Sequence, residues 1–287
     1  MSQRRQSAIF ERLRDKHSEV RTLTRDYPAG HIIPLHFHDV DQLVFASHGV
    51  MTVRTANGTW VVPTQRAVWI PAKVAHSISM SGLVAMRTLY VRPRLAKTLP
   101  RECCVVNVSP LLKELILHAC GASRLSRGIE WQRHLIDVIV DQFETIQMVP
   151  LQLPHPSDAR AMRIAKMLLA NPSDRTALAQ ICKTAGASKR TVERIFQEDV
   201  GMSCGKWRQQ VRLMEGMRLL AEGAKVTHAA LESGYSTASA FIAMFRKALG
   251  MTPAKIFGSV RMEIRRTKTK RRDAEYAEKK REESGKE

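Results

Sequence analysis

Between residues 21 and 92 apolar and polar positions alternate in short runs broken by turn signals, the two-residue period of strands with one buried face. MTVRTANGTWVV (51–62) alternates on both sides of Asn57-Gly58. That dipeptide tolerates positive φ at both positions, so a two-residue hairpin turn is expected there. RAVWI (66–70) and MRTLYV (86–91) read as further strands, with Pro63 and Pro71 as interruptions. Many short strands with tight turns predict a small antiparallel barrel or jelly roll. From Ser109 the period lengthens. Leu111, Leu112, Leu115, Ile116 and Ala119 recur at helical spacing, as do Trp131, Leu135, Val138, Ile139 and Phe143. They predict a helical hairpin joined through GASRLSRG, its stripe packed on the barrel or against a second subunit. PLQLPHPSD (150–158) holds three prolines and no period, so it reads as an interdomain linker. Beyond it the pattern is helical to about residue 260, and the charged stretch 261–287 reads as a disordered tail or a solvated helix. The expected fold is therefore α+β in two domains: an antiparallel barrel with a helical hairpin over 21–149, and an all-α domain over 158–260.

A chain of 287 residues, 44% of them hydrophobic, can build two cores. The net charge of +19 narrows the partners. Residues 158–260 alone carry 16 Lys and Arg against 8 Asp and Glu, an excess that attracts polyanions, nucleic acid first among them, through counterion release. The five cysteines form no C-x-x-C pair and no zinc-finger spacing, so neither a disulfide framework nor a zinc finger is indicated. The first twenty residues carry charges throughout rather than the apolar core of a signal peptide, and no segment reaches the roughly 20 apolar residues of a spanning helix. A reduced, cytoplasmic protein without a membrane partner is expected.

The helical half contains a repeat at a spacing of about fifty residues. GASKRTVERIFQEDVGMS (186–203) matches GYSTASAFIAMFRKALGMT (234–252). Each copy has the grammar of a helix-turn-helix: a small residue in a first helix (Cys182, Ala230), a turn glycine (Gly186, Gly234), an N-capping serine (Ser188, Ser236) and a second helix ending at Phe-x-x-x-x-Gly-Met. Two such units in tandem resemble the DNA-binding domain of AraC/XylS-type transcription regulators over about residues 158–258. The pattern of that family stands here as Gly234-Tyr235-Ser236, Phe241 and Phe245, and Gly250-Met251-Thr252-Pro253, with Arg212-Leu213 and Leu219-Leu220 in its linker helix. The resemblance implies that both second helices enter successive major grooves of a double-stranded DNA operator. The linker helix, about Ser203 to Glu222, would set their separation near one DNA turn. It places Ser188, Lys189, Arg190, Thr191, Glu193 and Arg194 of the first unit at the DNA, with Arg190, Glu193 and Arg194 at base-contacting positions and Lys189 at phosphate. In the second unit it places Thr237, Ala238, Ser239, Ile242 and Arg246 there. An exposed charged helix face is the alternative for any one of these residues. The second set has little hydrogen-bonding reach, so the first unit is expected to read bases and the second to position the protein.

The stretch LHFHDVDQLVFASHG (35–49) raises a different chemistry. His36 and His38 alternate, so on a strand both imidazoles aim to one side, which suits a metal or a binding pocket. The spacing from Gly30 through His36, His38 and Gln42 to Gly49 resembles the first cupin motif, and IPAKVAHSISM (70–80) resembles the second. The resemblance implies His36, His38 and His76 as metal ligands, with Gln42 in place of the usual Glu, Lys73 in place of Gly and Met80 in place of Asn. A neutral amide weakens the site for a divalent ion. No cofactor is therefore required, a divalent metal stays open, and His36, His38, Gln42 and His76 are expected to line a small-molecule effector site. Asp39 and Asp41 are expected to face outward. The whole reads as a transcription regulator controlled by a small-molecule effector, similar to those governing transporter or catabolic genes, as activator or repressor. RNA polymerase and a second copy of the chain stay open as partners, and no catalytic residue is assigned. The rival is a metal-dependent cupin enzyme carrying a DNA-binding appendage.

Overall fold

In the computed structural model, residues 18–149 and 151–258 are described; the tail expected over 261–287 lies outside them. Ten strands share one hydrogen-bonded network. β1 (Val20–Tyr27), β6 (His76–Val91), β3 (Asp41–Arg54), β5 (Arg66–Ile70), β7 (Cys104–Asn107) and β9 (Met148–Val149) follow one another in space, with β8 (Arg124–Leu125) outside β1. β2 (Ile32–His36) adds to β6, β4 (Gly58–Val62) to β3, and β10 (Gln152–Pro154) to β4. The two long strands, β3 and β6, pair antiparallel from Asp41↔Val91 to Arg54↔Ser77, with irregularities between Ala46 and Val50. Such bulges bend a strand, so each long strand serves both halves of a jelly-roll-like sheet. The short run MRTLYV is thus only the last part of β6, which runs on from His76 through Gly82 (φ +72°) as one strand.

Alternation along β3 separates two packing faces. Leu43 and Phe45 join Trp69 and Leu89 in a core closed by α1 (Pro110–Ala119) through Leu112 and Ile116, and by α2 (Glu130–Glu144) through Ile136, Ile139 and Phe143. The helical hairpin therefore covers the sheet. Its period also carries surplus apolar residues, because Leu111, Trp131 and Val138 are exposed. Val44 and Ala46 face the other side, into the core of the sheet's interior with Met51, Val53, Ile70, Ile78 and Met86.

Two local expectations change. The hairpin between β3 and β4 turns at Ala56-Asn57, since Arg54 pairs with Thr59 and Thr55 N donates to Gly58 O (3.0 Å). Neither Asn57 nor Gly58 has positive φ; the turn is held by Asn57 N donating to Thr55 Oγ1 (3.1 Å). The proline-rich 150–158 stretch connects the two halves but is not a free linker. Its Leu151 and Leu153 are buried, and Gln152–Pro154 runs beside β4.

The second half is helical: α3 (Ala159–Ala170), α4 (Leu178–Thr184), α5 (Lys189–Val200), α6 (Cys204–Ala221), α7 (Val226–Glu232) and α8 (Ala238–Leu249). Residues 253–258 are helical, with Ile256 and Phe257 buried. The rod α6 is the organiser. Its Trp207, Val211, Met214, Met217 and Leu220 are buried, and Ser203 Oγ caps its start by accepting from Lys206 N.

The rod also docks on the barrel. Trp207 Nε1 donates to Pro154 O (2.9 Å), and Arg66 Nη2 on β5 donates to Leu249 O (3.1 Å) at the end of α8. Closest is Gly82, with φ +72°: a Cβ there would lie 2.3 Å from the carbonyl oxygen of Ala221. One apolar cluster runs without a break from β3 and β6 into the helical domain.

Candidate nucleic-acid interface and histidine cluster

The first helix-turn-helix is α4, a turn at Gly186 (φ +78°) and α5. Ser188 Oγ accepts from Thr191 N (3.1 Å), so the expected cap is in place. Val192, Ile195, Phe196 and Val200 form the buried stripe of α5, and Phe196 meets Trp207 of α6 edge-on at 5.8 Å. That fixes which face turns outward. Lys189, Arg190 and Arg194 are exposed, and Thr191 is half-buried. Arg194 Nη1 donates to Glu198 Oε2 (2.8 Å), an exposed pair that costs little to open. Glu193 is different. Its Oε2 accepts from Cys204 N (2.9 Å), so the carboxylate sits at the start of α6, where helix N–H groups favour an anion. In this structure it braces α5 against the rod, rather than standing free for cytosine.

The second unit is α7, a turn at Gly234 (φ +87°) and α8. Here the cap is Thr237, whose Oγ1 accepts from Ala240 N (3.1 Å); Ser236, the expected cap, lies one residue before it. The two units thus keep a 49-residue offset from cap to C-terminal glycine (Ser188 and Thr237, Phe196 and Phe245, Gly201 and Gly250). The offset between the turn glycines is 48 residues, so the second turn holds one extra residue. Phe241, Phe245 and Leu249 are buried, while Thr237, Ser239, Ala243 and Arg246 are exposed and Ala238 and Ile242 half-buried. Cys182 and Ala230 are fully buried, as small residues at helix crossings should be.

Arg175 and Arg208, which the sequence did not single out, lie between the units together with Arg212 of the linker-helix pattern. Arg208 of α6 donates through Nη1 to Thr176 O (2.7 Å), and through Nη2 to Asp174 O. Arg212 donates to Pro172 O (3.2 Å) and Asp174 O (2.7 Å), and Arg175 to Tyr235 O (3.4 Å). These bonds staple the loop before α4 to the rod and to the second turn. They border a hollow of about 400 Å³ that Ser236 and Ala240 also line. No sequence period marks them, because each acts through backbone carbonyls.

In the sheet domain, His36, His38 and His76 bring one ring nitrogen each to within 4.8 Å of the others. His36 and His76 face each other as register partners of β2 and β6, and His38 follows the end of β2. His76 is fully buried, His38 nearly so and His36 half-buried. Burial, and then the neighbouring His36, pull the His76 pKa down to about 3; burial also lowers that of His36. Gln42 is buried beside them, its Oε1 2.9 Å from His38 Nε2. Lys73, at the position where cupins usually carry Gly, has φ +67°, and its N donates to His38 O (2.8 Å). The loop thus keeps the left-handed conformation without the glycine. Asp39 is exposed as expected, but Asp41 is not: it is buried, and its Oδ1 accepts from Ala72 N (2.8 Å). Burial raises its pKa. The alternation that pointed it outward ends at His36, where β2 stops; β3 starts afresh at Asp41.

The family model described as an AraC-like ligand binding domain matches residues 19–140, and that described as a helix-turn-helix domain matches residues 181–258. The chain is 35% identical over 222 residues to the HTH-type transcriptional regulator NimR of Escherichia coli (strain K12), covering 77% of this chain and 81% of that protein. It is 34% identical over 102 residues to the HTH-type transcriptional regulator RipA of Corynebacterium glutamicum, covering 36% of this chain and 30% of RipA. Among solved structures, unsaturated fatty acid bound ToxT from Vibrio cholerae is similar at 11% identity and a TM-score of 0.36, over 84% of this chain and 95% of ToxT.

Proposed function

We propose, from the premise that the chain belongs to the AraC family of transcription regulators, with a ligand-binding domain joined to a DNA-binding helix-turn-helix domain, that it grips one operator through two unequal readers. The observation that carries this reading is the pair of capped helices, α5 and α8, packed on a single rod. The rod has 18 residues, about 27 Å at 1.5 Å per residue, of the same order as the roughly 34 Å rise of one DNA turn. Arg190 and Arg194 on α5 supply base readout, since a guanidinium can meet two acceptors of guanine. Lys189 and Ser188 meet phosphate. On α8 the small exposed surface of Thr237, Ala238, Ser239 and Ile242 lies against the groove, with Arg246 at its far end. Effector control resides in the cluster of His36, His38, Gln42 and His76.

The regulator reading is preferred to a metal-dependent enzyme. The relatives are regulators, Gln42 offers a neutral amide instead of a carboxylate, and the buried Asp41 is engaged by the Ala72 backbone. Activation would add RNA polymerase as a partner, and the exposed Leu111, Trp131 and Val138 of the hairpin support pairing with a second copy. Footprinting on the DNA flanking the chain's own gene tests the reading. One protected stretch is expected, spanning two successive major-groove windows on the same face of the duplex. Uniform protection with no bounded stretch would refute it.

A further inference from the structure

The loop before α4, the rod and the second turn bring three guanidiniums to one place. Arg175, Arg208 and Arg212 line the hollow of about 400 Å³ together with Tyr235. Their hydrogen bonds end on the uncharged carbonyls of Pro172, Asp174, Thr176 and Tyr235. Among the described residues none of the three forms an ion pair. The carboxylate that offsets them is Asp174, whose Oδ1 accepts from Thr176 N (2.7 Å). Its pKa is held low first by the hydrogen bonds from Thr176 and then by the charges of Arg208 and Arg212. A surplus of positive charge remains. Burial, and then repulsion from Arg208, lowers the pKa of Arg212, with Arg175 adding to the repulsion.

Two donors at this place have no acceptor. Arg208 Nε and the Tyr235 hydroxyl are buried, and neither makes a hydrogen bond. Burial raises the Tyr235 pKa, so the phenol keeps its proton and remains a donor. Buried donors left unpaired are costly, and two of them beside surplus positive charge call for an acceptor that is also an anion. Stapling the loop does not by itself explain the choice of residues, because uncharged donors satisfy carbonyls equally well. The second turn is also packed tightly against the group: a Cβ on Gly234 would lie 2.8 Å from Arg212 Nε.

We propose that Arg175, Arg208, Arg212 and Tyr235 form a site for a phosphate group between the two helix-turn-helix units. A phosphate presents several charged oxygens, so more than one planar guanidinium can pair with it at once. Two sources carry that group. One is the backbone of the operator: Ser236 and Ala240, which flank the Thr237–Ser239 stretch placed against the groove, also line the hollow, so a strand passing from one window to the next brings a phosphodiester to it. This source rests on the operator reading. The other is a free phosphate ester, for which the hollow has the volume of a small-ligand pocket and which does not depend on that reading.

The first arm of the test needs no DNA: inorganic phosphate is titrated into the full-length chain by calorimetry, against chloride at matched ionic strength. One saturable phosphate per chain is expected. Arg208→Gln, and the exposed Arg175→Gln as the variant that disturbs the fold less, should each weaken it about tenfold. Tyr235→Phe should weaken it several-fold without lowering the denaturation midpoint, since it removes an orphaned donor; a lowered midpoint with unchanged phosphate affinity overturns the place of Tyr235 in the site. The second arm scans single uncharged methylphosphonate linkages across the footprinted operator, between its two windows. With the duplex as source, one linkage weakens the wild-type chain at least about threefold and has no further effect in Arg175→Gln, whose salt slope falls by about 1. Phosphate binding lost in both arginine variants, with no such coupled linkage, names a free phosphate ester instead. No coupled linkage, together with phosphate binding that is absent or indifferent to both substitutions, overturns the site. An intact footprint in that case leaves the operator reading standing, whereas a lost footprint with phosphate still bound sinks that reading alone.

Discussion

Arg194 and Lys189 lie five residues apart on α5, about 1.4 turns at 3.6 residues per turn, and they should fail differently. Arg194 is exposed and tied only to Glu198 in a surface pair worth less than about 1 kcal/mol, so it is easily released to a base edge. Arg194→Ala should relax preference at one operator position by about 1–3 kcal/mol, read by binding-site selection, whereas Ala238→Ser on α8 should change little. Lys189→Ala should leave base preference alone and reduce the slope of log affinity against log salt by about 1. Equal, sequence-blind losses from the arginine and alanine substitutions would refute the unequal division. At this scale the sequence was legible where side chains act by themselves. The converging histidines were readable from spacing, and the exposed Arg190 and Arg194 from the family resemblance. Glu193 was not, because its partner is a backbone N–H eleven residues away, and neither was Asp41, because the break between β2 and β3 resets which face each residue takes.

At the scale of elements, the repeat was readable because both helix-turn-helix units need the same glycine and aromatic positions. Its register was not. Counting from the glycine points to Ser236 as the cap of α8, whereas counting back from Phe245 points to Thr237, and the backbone chooses the latter. Thr237→Ala should therefore cost about 1 kcal/mol of stability and Ser236→Ala less than about 0.5, measured by chemical denaturation. The crossing of α6 and α8 makes a sharper demand. A Cβ on Gly216 would stand 2.5 Å from the ring of the fully buried Phe241, so Gly216→Ala should destabilise by about 1–3 kcal/mol and shorten the footprint on the side of the second unit. The strand pattern was legible in kind but not in length. The run MRTLYV marks only the last part of β6, and β10 is invisible because three residues of an edge strand have too little period to detect.

For the whole molecule, composition and period gave two cores and an order of domains, but not the contact between them. That contact depends on matched shapes rather than on hydrophobic spacing: Arg66 reaches the end of α8, Trp207 reaches Pro154, and Gly82 lies against the last turn of the rod. Gly82→Ala should be disfavoured twice, by its left-handed φ and by the Ala221 carbonyl. Faster proteolytic cutting within 150–158 is the expected readout, and an unchanged rate would show that the two halves do not depend on this seat. The same glycine has a mechanical meaning. Gly82 lies six positions beyond His76 on one continuous strand, so the histidine end is linked through the backbone to the piece that abuts the rod. A chain built this way offers a direct covalent path, bent at Gly82, from the histidine end to the seat of the rod.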